Sequence, residues 1–89
     1  MTERDLKIVN EKGLHARASA KFVEVVETFD ATAEVTKDGM SVSGDSIMGL
    51  LMLAASRGTV ISVKTSGPQA DALLEALDHL VQTMFGEPF

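Results

Sequence analysis

The stretch Gly13-Leu14-His15-Ala16-Arg17-Ala18-Ser19-Ala20 holds the residues best placed to do chemistry. It sets an imidazole and a guanidinium two positions apart, just after a glycine that frees the backbone. Lys21 to Phe29 reads as a helix, so His15 stands where that helix begins. A helix start presents unpaired backbone N–H groups and the positive end of the peptide dipoles. Such a place binds anions, and a phosphoryl group suits it well. The same field disfavours an imidazolium, which leaves a neutral ring with a nucleophilic nitrogen. That nitrogen can attack phosphorus and form a phosphoramidate, a case of covalent nucleophilic catalysis. The N–H groups of Ala16 and Arg17 would meet the phosphate, and the Arg17 guanidinium would add a charge-assisted hydrogen bond. On spacing alone the plainer role remains the default: a histidine that caps a helix or decorates a loop.

Several elements must position this stretch. Asp5 to Asn10 predicts a first strand, with Leu6, Ile8 and Asn10 on one side. Asn10-Glu11-Lys12-Gly13 is a polar turn. The first helix is expected over about Ala16 to Thr28. Ala18, Phe22, Val25, Val26 and Phe29 fall on one apolar face, and Lys21, Glu24 and Glu27 lie off it. Thr32 to Lys37 and Met40 to Ser43 read as strands joined by the hairpin signal Asp38-Gly39. Ser41 and Ser43 should point outward. Gly44-Asp45-Ser46 breaks the second of these strands, and either Asp45 or Ser46 can cap the helix that follows.

That second helix is expected over about Ile47 to Ser56, with Gly58 as its stop. Leu50, Leu53 and Ala54 make one buried stripe, which leaves Ile47, Met48, Leu51 and Met52 in excess. In so small a domain the excess reads as a docking patch, and methionine adapts to varied partners. Thr59 to Ser66 is the strongest strand, rich in β-branched residues. Gly67-Pro68 turns the chain into a last helix from about Gln69 to Met84. Its stripe is Ala70, Leu73, Leu74, Leu77, Leu80, Val81 and Met84, with Asp71, Glu75 and Asp78 on a solvated face. The tail from Gly86 is expected to fray. The order β-α-β-β-α-β-α favours an open-faced α/β sandwich: a four-stranded antiparallel sheet covered on one face by three helices.

Composition narrows the function. The 89 residues fit a single domain, 1–89, whose core is modest. A net charge of −5 and four aromatic residues, all phenylalanine, argue against nucleic-acid binding. Without cysteine there are no disulfides or thiolate metal sites, and two histidines with no zinc-like spacing predict no metal. The opening Met-Thr-Glu-Arg-Asp-Leu lacks a signal peptide's apolar region and no long apolar run follows, so a cytoplasmic protein without membrane insertion is expected. His79, inside the last helix and off its stripe, reads as a surface histidine.

Gly13-Leu14-His15-Ala16-Arg17 resembles the active-site signature of the HPr family, the histidine phosphocarriers of the bacterial phosphotransferase system. Ser46-Ile47-Met48-Gly49 resembles that family's regulatory-serine motif, at the expected separation. The similarity covers nearly the whole chain. It departs at Ala18, where most members carry proline. This alanine resembles the nitrogen-type (NPr-like) carriers, and Glu24 and Glu27 lean the same way, since several sugar-transport carriers show lysines on this face.

The resemblance implies a phosphoryl carrier that is not itself an enzyme and needs no cofactor. An enzyme I-type protein would phosphorylate His15 (as pros-phosphohistidine), Arg17 would balance charge, and the group would pass to a histidine of an enzyme IIA-type protein. It further implies that the first two helices sit close together. Ala16, Ala20, Ile47, Met48, Leu51 and Met52 would then form the docking surface. Ser46 would be the target of an HPr kinase/phosphorylase; from physics alone it is a helix cap. A monomer is expected, because a carrier must visit two partners. Two alternatives stay open: a sugar-transport HPr, and a small regulatory ligand-binding domain that never carries phosphate.

Overall fold

Ile61, Val63 and Thr65 are buried while Val60 and Lys64 face water, so the expected period-two alternation runs through the strongest strand. In the computed structural model, which describes residues 2–89, the elements are β1 (Thr2–Lys7), α1 (Ala16–Thr28), β2 (Thr32–Lys37), β3 (Met40–Ser43), α2 (Ile47–Met52), β4 (Val60–Ser66) and α3 (Ala70–Gln82). A 3₁₀ turn at Met84–Gly86 follows. The strands form one sheet in the order β1-β4-β2-β3, and every neighbouring pair is antiparallel.

The register aligns the inward residues. Leu6 lies opposite Ile61, and Val35 is paired with Val63 on one side and Val42 on the other. The helices cover this face: α3 lies over β1 and β4, and α1 packs between α2 and α3. Phe22, Phe85, Ile8, Leu50, Leu73, Leu74 and Leu77 fill the space between the layers and are almost wholly buried. The other face is polar, with hydroxyl pairs such as Thr32–Ser66 at 2.9 Å and Thr36–Ser41 at 2.8 Å. Ser41 and Ser43 lie exposed, as expected.

Asp38 and Gly39, at φ of 51° and 82°, make the tight hairpin between β2 and β3. The solvated face of α3 needs qualification: Glu75 and Asp78 each meet the Arg4 guanidinium at 2.6 Å and tie α3 to β1. Arg4 sits at an inward position at the sheet's edge and reaches out past the core. Glu75 is exposed and Asp78 partly buried, so water screens the first pair more than the second.

Three boundaries differ from expectation. β1 begins at Thr2 and ends at Lys7 rather than spanning Asp5 to Asn10. Pairing nevertheless continues to Ile8, whose N–H donates to Thr59 O at 2.8 Å and whose carbonyl accepts from Gly58 N at 2.7 Å. α2 stops at Met52, not Ser56, because Ala54 takes a left-handed conformation at φ 50° and turns the chain. Leu53 and Ala55 are buried as a result, and Ala54 is exposed. Gly58 therefore serves the turn into β4 rather than the helix end. α3 ends at Gln82, since Met84 and Phe85 have φ of 57° and 55°.

Candidate functional site

His15 is the N-cap of α1, with extended backbone at φ −78° and ψ −177°. Its Nδ1 accepts the N–H of Arg17 at 3.2 Å. The first helical hydrogen bond runs from Ser19 N–H to His15 O at 2.8 Å, so Ala16, Arg17 and Ala18 donate nothing to the helical ladder. The atom that caps α1 is thus His15 Nδ1. Ala18 is wholly buried, and a proline there would forfeit no helical bond.

The loop before the helix is pinned from the far side of the chain. Leu14 N–H donates to Ala55 O at 2.9 Å, which the left-handed turn at Ala54 brings into reach. Gly13 has φ +66°, and a Cβ there would lie 2.6 Å from the same carbonyl. Only glycine allows this approach. Leu14 is buried beneath, while His15 is partly exposed and Ala16 and Arg17 are exposed.

The tail forms the opposite wall. Phe85 is buried, its carbonyl accepts from Lys21 Nζ at 2.6 Å, and Glu87 N–H donates to Met84 O at 2.9 Å. This turn carries the Glu87 carboxylate back to the first helix, where Oε2 meets His15 Nε2. Oε1 accepts from Asn10 Nδ2 at 3.0 Å, and the same Nδ2 donates to Gly13 O at 2.8 Å. Both neighbours of that nitrogen are acceptors, which fixes the amide's orientation. Asn10 is fully buried, and its Oδ1 has no protein partner.

Withdrawal from water pushes the Glu87 carboxyl up. The hydrogen bonds from Asn10 and His15 and the charges of His15 and Lys12 outweigh this, so it titrates below the ordinary glutamate value. Between helix start and tail lies an open cleft of about 410 Å³, lined by Lys12, His15, Arg17, Glu87 and Phe89 among others. It is cationic on one side and anionic at one point. The expected fraying of the tail therefore does not occur at Glu87, whose side chain is 15% exposed. Neither Asn10 nor Glu87 stands out from the sequence as a residue of this site. One signal was available for Asn10: a polar side chain continuing the inward series Leu6, Ile8.

Ser46, rather than Asp45, caps α2: its Oγ accepts Gly49 N–H at 3.0 Å. Ile47, Met48 and Met52 are exposed to 40%, 70% and 65%. Ala16 is exposed, and Ala20 and Leu51 are partly so. α1 and α2 pack together, so these residues lie on neighbouring helices. His79 is exposed. No group of three or more metal-ligating side chains converges among the described residues, and none of their helices is long and apolar enough to cross a membrane.

Comparison with known proteins identifies the chain's family. A family model described as the PTS HPr component phosphorylation site matches residues 2–83. A phosphocarrier protein HPr of Neisseria meningitidis serogroup A is 45% identical over 87 residues, covering 98% of each chain. The crystal structure of an HPr from Thermoanaerobacter tengcongensis superposes with a TM-score of 0.95 at 36% identity, covering all of both chains. A dimeric HPr structure from the same organism gives 0.78 at 37% identity, covering 98% of this chain and 100% of that one. In fold, length and sequence, then, the chain belongs to the HPr family: it is a phosphocarrier protein of the phosphotransferase system rather than a catalytic enzyme.

Proposed function

We propose that His15 Nδ1 is the atom that carries the phosphoryl group. The observation behind this is the placement of Nδ1 at the start of α1, facing the Arg17 N–H, in an open cleft that Arg17 also lines. An enzyme I-type protein, charged by phosphoenolpyruvate, presents a phosphohistidine to this cleft. Nδ1 attacks phosphorus as the donor's P–N bond breaks. The Arg17 N–H passes from Nδ1 to a phosphoryl oxygen, and the guanidinium offsets the arriving charge. Ala16 N–H is the second backbone donor. Onward transfer to a histidine of an enzyme IIA-type protein reverses the step. A carrier must release what it holds, so few donors surround the phosphate; binding it as tightly as the transition state would give no rate gain.

Docking uses Ala16, Ala20, Ile47, Met48, Leu51 and Met52, an apolar surface on neighbouring helices. A kinase acting on Ser46 would add about −1.5 to −2 charges beside that surface and discourage an acidic partner. The nitrogen-regulatory branch is favoured over sugar transport by Ala18 and by the exposed Glu24 and Glu27. The carrier works in the cytoplasm as a monomer, since one copy presents the whole cleft. The deciding experiment supplies phosphoenolpyruvate and enzyme I and follows an acid-labile mass addition. His15→Asn, which can still cap the helix, abolishes it if the reading holds. Competing IIA-type acceptors of the two branches then assign the branch.

A further inference from the structure

We propose that Glu87, held by Asn10, is a positioning residue that fixes the His15 ring with its proton on Nε2 and its lone pair on Nδ1. This rests on His15 being the phosphoryl acceptor and adds two residues to its machinery. The ring has two polar neighbours of opposite kind. Nδ1 faces a donor, the Arg17 N–H at 3.2 Å, and Nε2 faces an acceptor, the Glu87 carboxylate. Only the tautomer with hydrogen on Nε2 satisfies both. The carboxylate is itself held, because its second oxygen accepts from the buried Asn10 amide at 3.0 Å.

The backbone that delivers Glu87 is strained. Met84 and Phe85 both lie at positive φ, a left-handed conformation that L side chains resist. Burial of Phe85 and the Lys21 bond to its carbonyl hold this turn in place. Strain maintained by surrounding packing points to a site at which position matters.

The relay also fits the charge balance of transfer. The Nδ1 lone pair forms the new N–P bond as the donor imidazole's N–P bond breaks, and that bonding pair returns to the donor ring. The proton stays on His15 Nε2, so the His15 ring becomes cationic as the donor ring becomes neutral. The cation develops against Glu87, a charge already in place. Once formed, the phosphohistidine is protected, because the carboxylate pushes electron density into the ring and makes it a poorer leaving group.

Glu87→Gln tests this with almost no change of shape. An amide has one acceptor oxygen and cannot serve both the Asn10 N–H and the His15 Nε2–H. The Nδ1–H form of the ring then gains population. The expected results are a loss of the Nε2–H correlation of His15 in long-range ¹H–¹⁵N spectra and a fall of at least about tenfold in kcat for phosphorylation by charged enzyme I, with KM little changed. An orienting carboxylate replaced by its amide can cost far more, up to about 10⁴-fold. Phosphohistidine hydrolysis should quicken as well. Glu87→Asp, which keeps two acceptors, recovers part of the rate. If Glu87→Gln retains the tautomer and the rate, the proposal fails while His15 remains the carrier. If it accelerates phosphorylation, Glu87 blocks the ring rather than positioning it, and the proposal is again overturned. If wild-type protein accepts no phosphate at His15, the carrier reading itself falls.

Discussion

The Glu87 carboxylate and the His15 imidazole meet across 72 positions of chain, and both line the open cleft between the first helix and the tail. The site is therefore made of two chain segments. One is the Gly13–Arg17 loop, pinned to Ala55; the other is the Phe85–Glu87 turn, anchored by a buried ring and Lys21.

The depressed Glu87 carboxyl makes part of the stability depend on pH. A group whose pKa is lower folded than unfolded contributes stability above its unfolded value and loses it as pH falls through the folded one. Wild-type protein should lose thermal stability as pH drops below the ordinary glutamate range and through Glu87's lower value. Glu87→Gln should show a shallower acid limb over that window. Melting temperatures from pH 7 down to 2.5 check this.

Phe85 is the tail's anchor. Phe85→Ala should destabilise the domain by about 3–5 kcal/mol, because it leaves a cavity while the alanine still has to adopt φ 55°. Urea midpoints measure the loss. Amide exchange at Glu87 should quicken in the same variant.

Ser46 contributes as a cap before any modification. Ser46→Ala should cost about 1 kcal/mol, whereas Ser46→Asp should fold with near wild-type stability, since aspartate caps equally well. Equal unfolding midpoints for serine and alanine would remove the cap's importance.

Met48 is 70% exposed and touches little of the core. Met48→Asp should change stability by less than about 0.5 kcal/mol. It should lower kcat/KM for transfer about tenfold by placing charge in an apolar contact. A titration against enzyme I, followed by chemical-shift mapping, reads both the affinity and the surface.

Much of this was legible because it is local. The apolar spacing of Ala18, Phe22 and Val26 set α1 at Ala16–Thr28, Asp38-Gly39 marked the hairpin, and Ser46 lay before its helix. The sequence predicts α2 too long because Leu53-Ala54-Ala55-Ser56 has no local reason to leave a helix. What ends it is Ala54 at φ 50°, which frees Ala55 O for Leu14 N–H, a tertiary bond that propensity does not encode. His15 and Arg17 could be found from a short motif. Glu87 could not, since its role depends on a left-handed turn that conflicts with the preferences of Met84 and Phe85.

The most direct test is phosphorus NMR of the protein after incubation with phosphoenolpyruvate and enzyme I. The account predicts a single phosphoramidate signal, coupled to Nδ1 of His15 and absent from His15→Asn. A signal on Nε2, or one that survives that substitution, would contradict it.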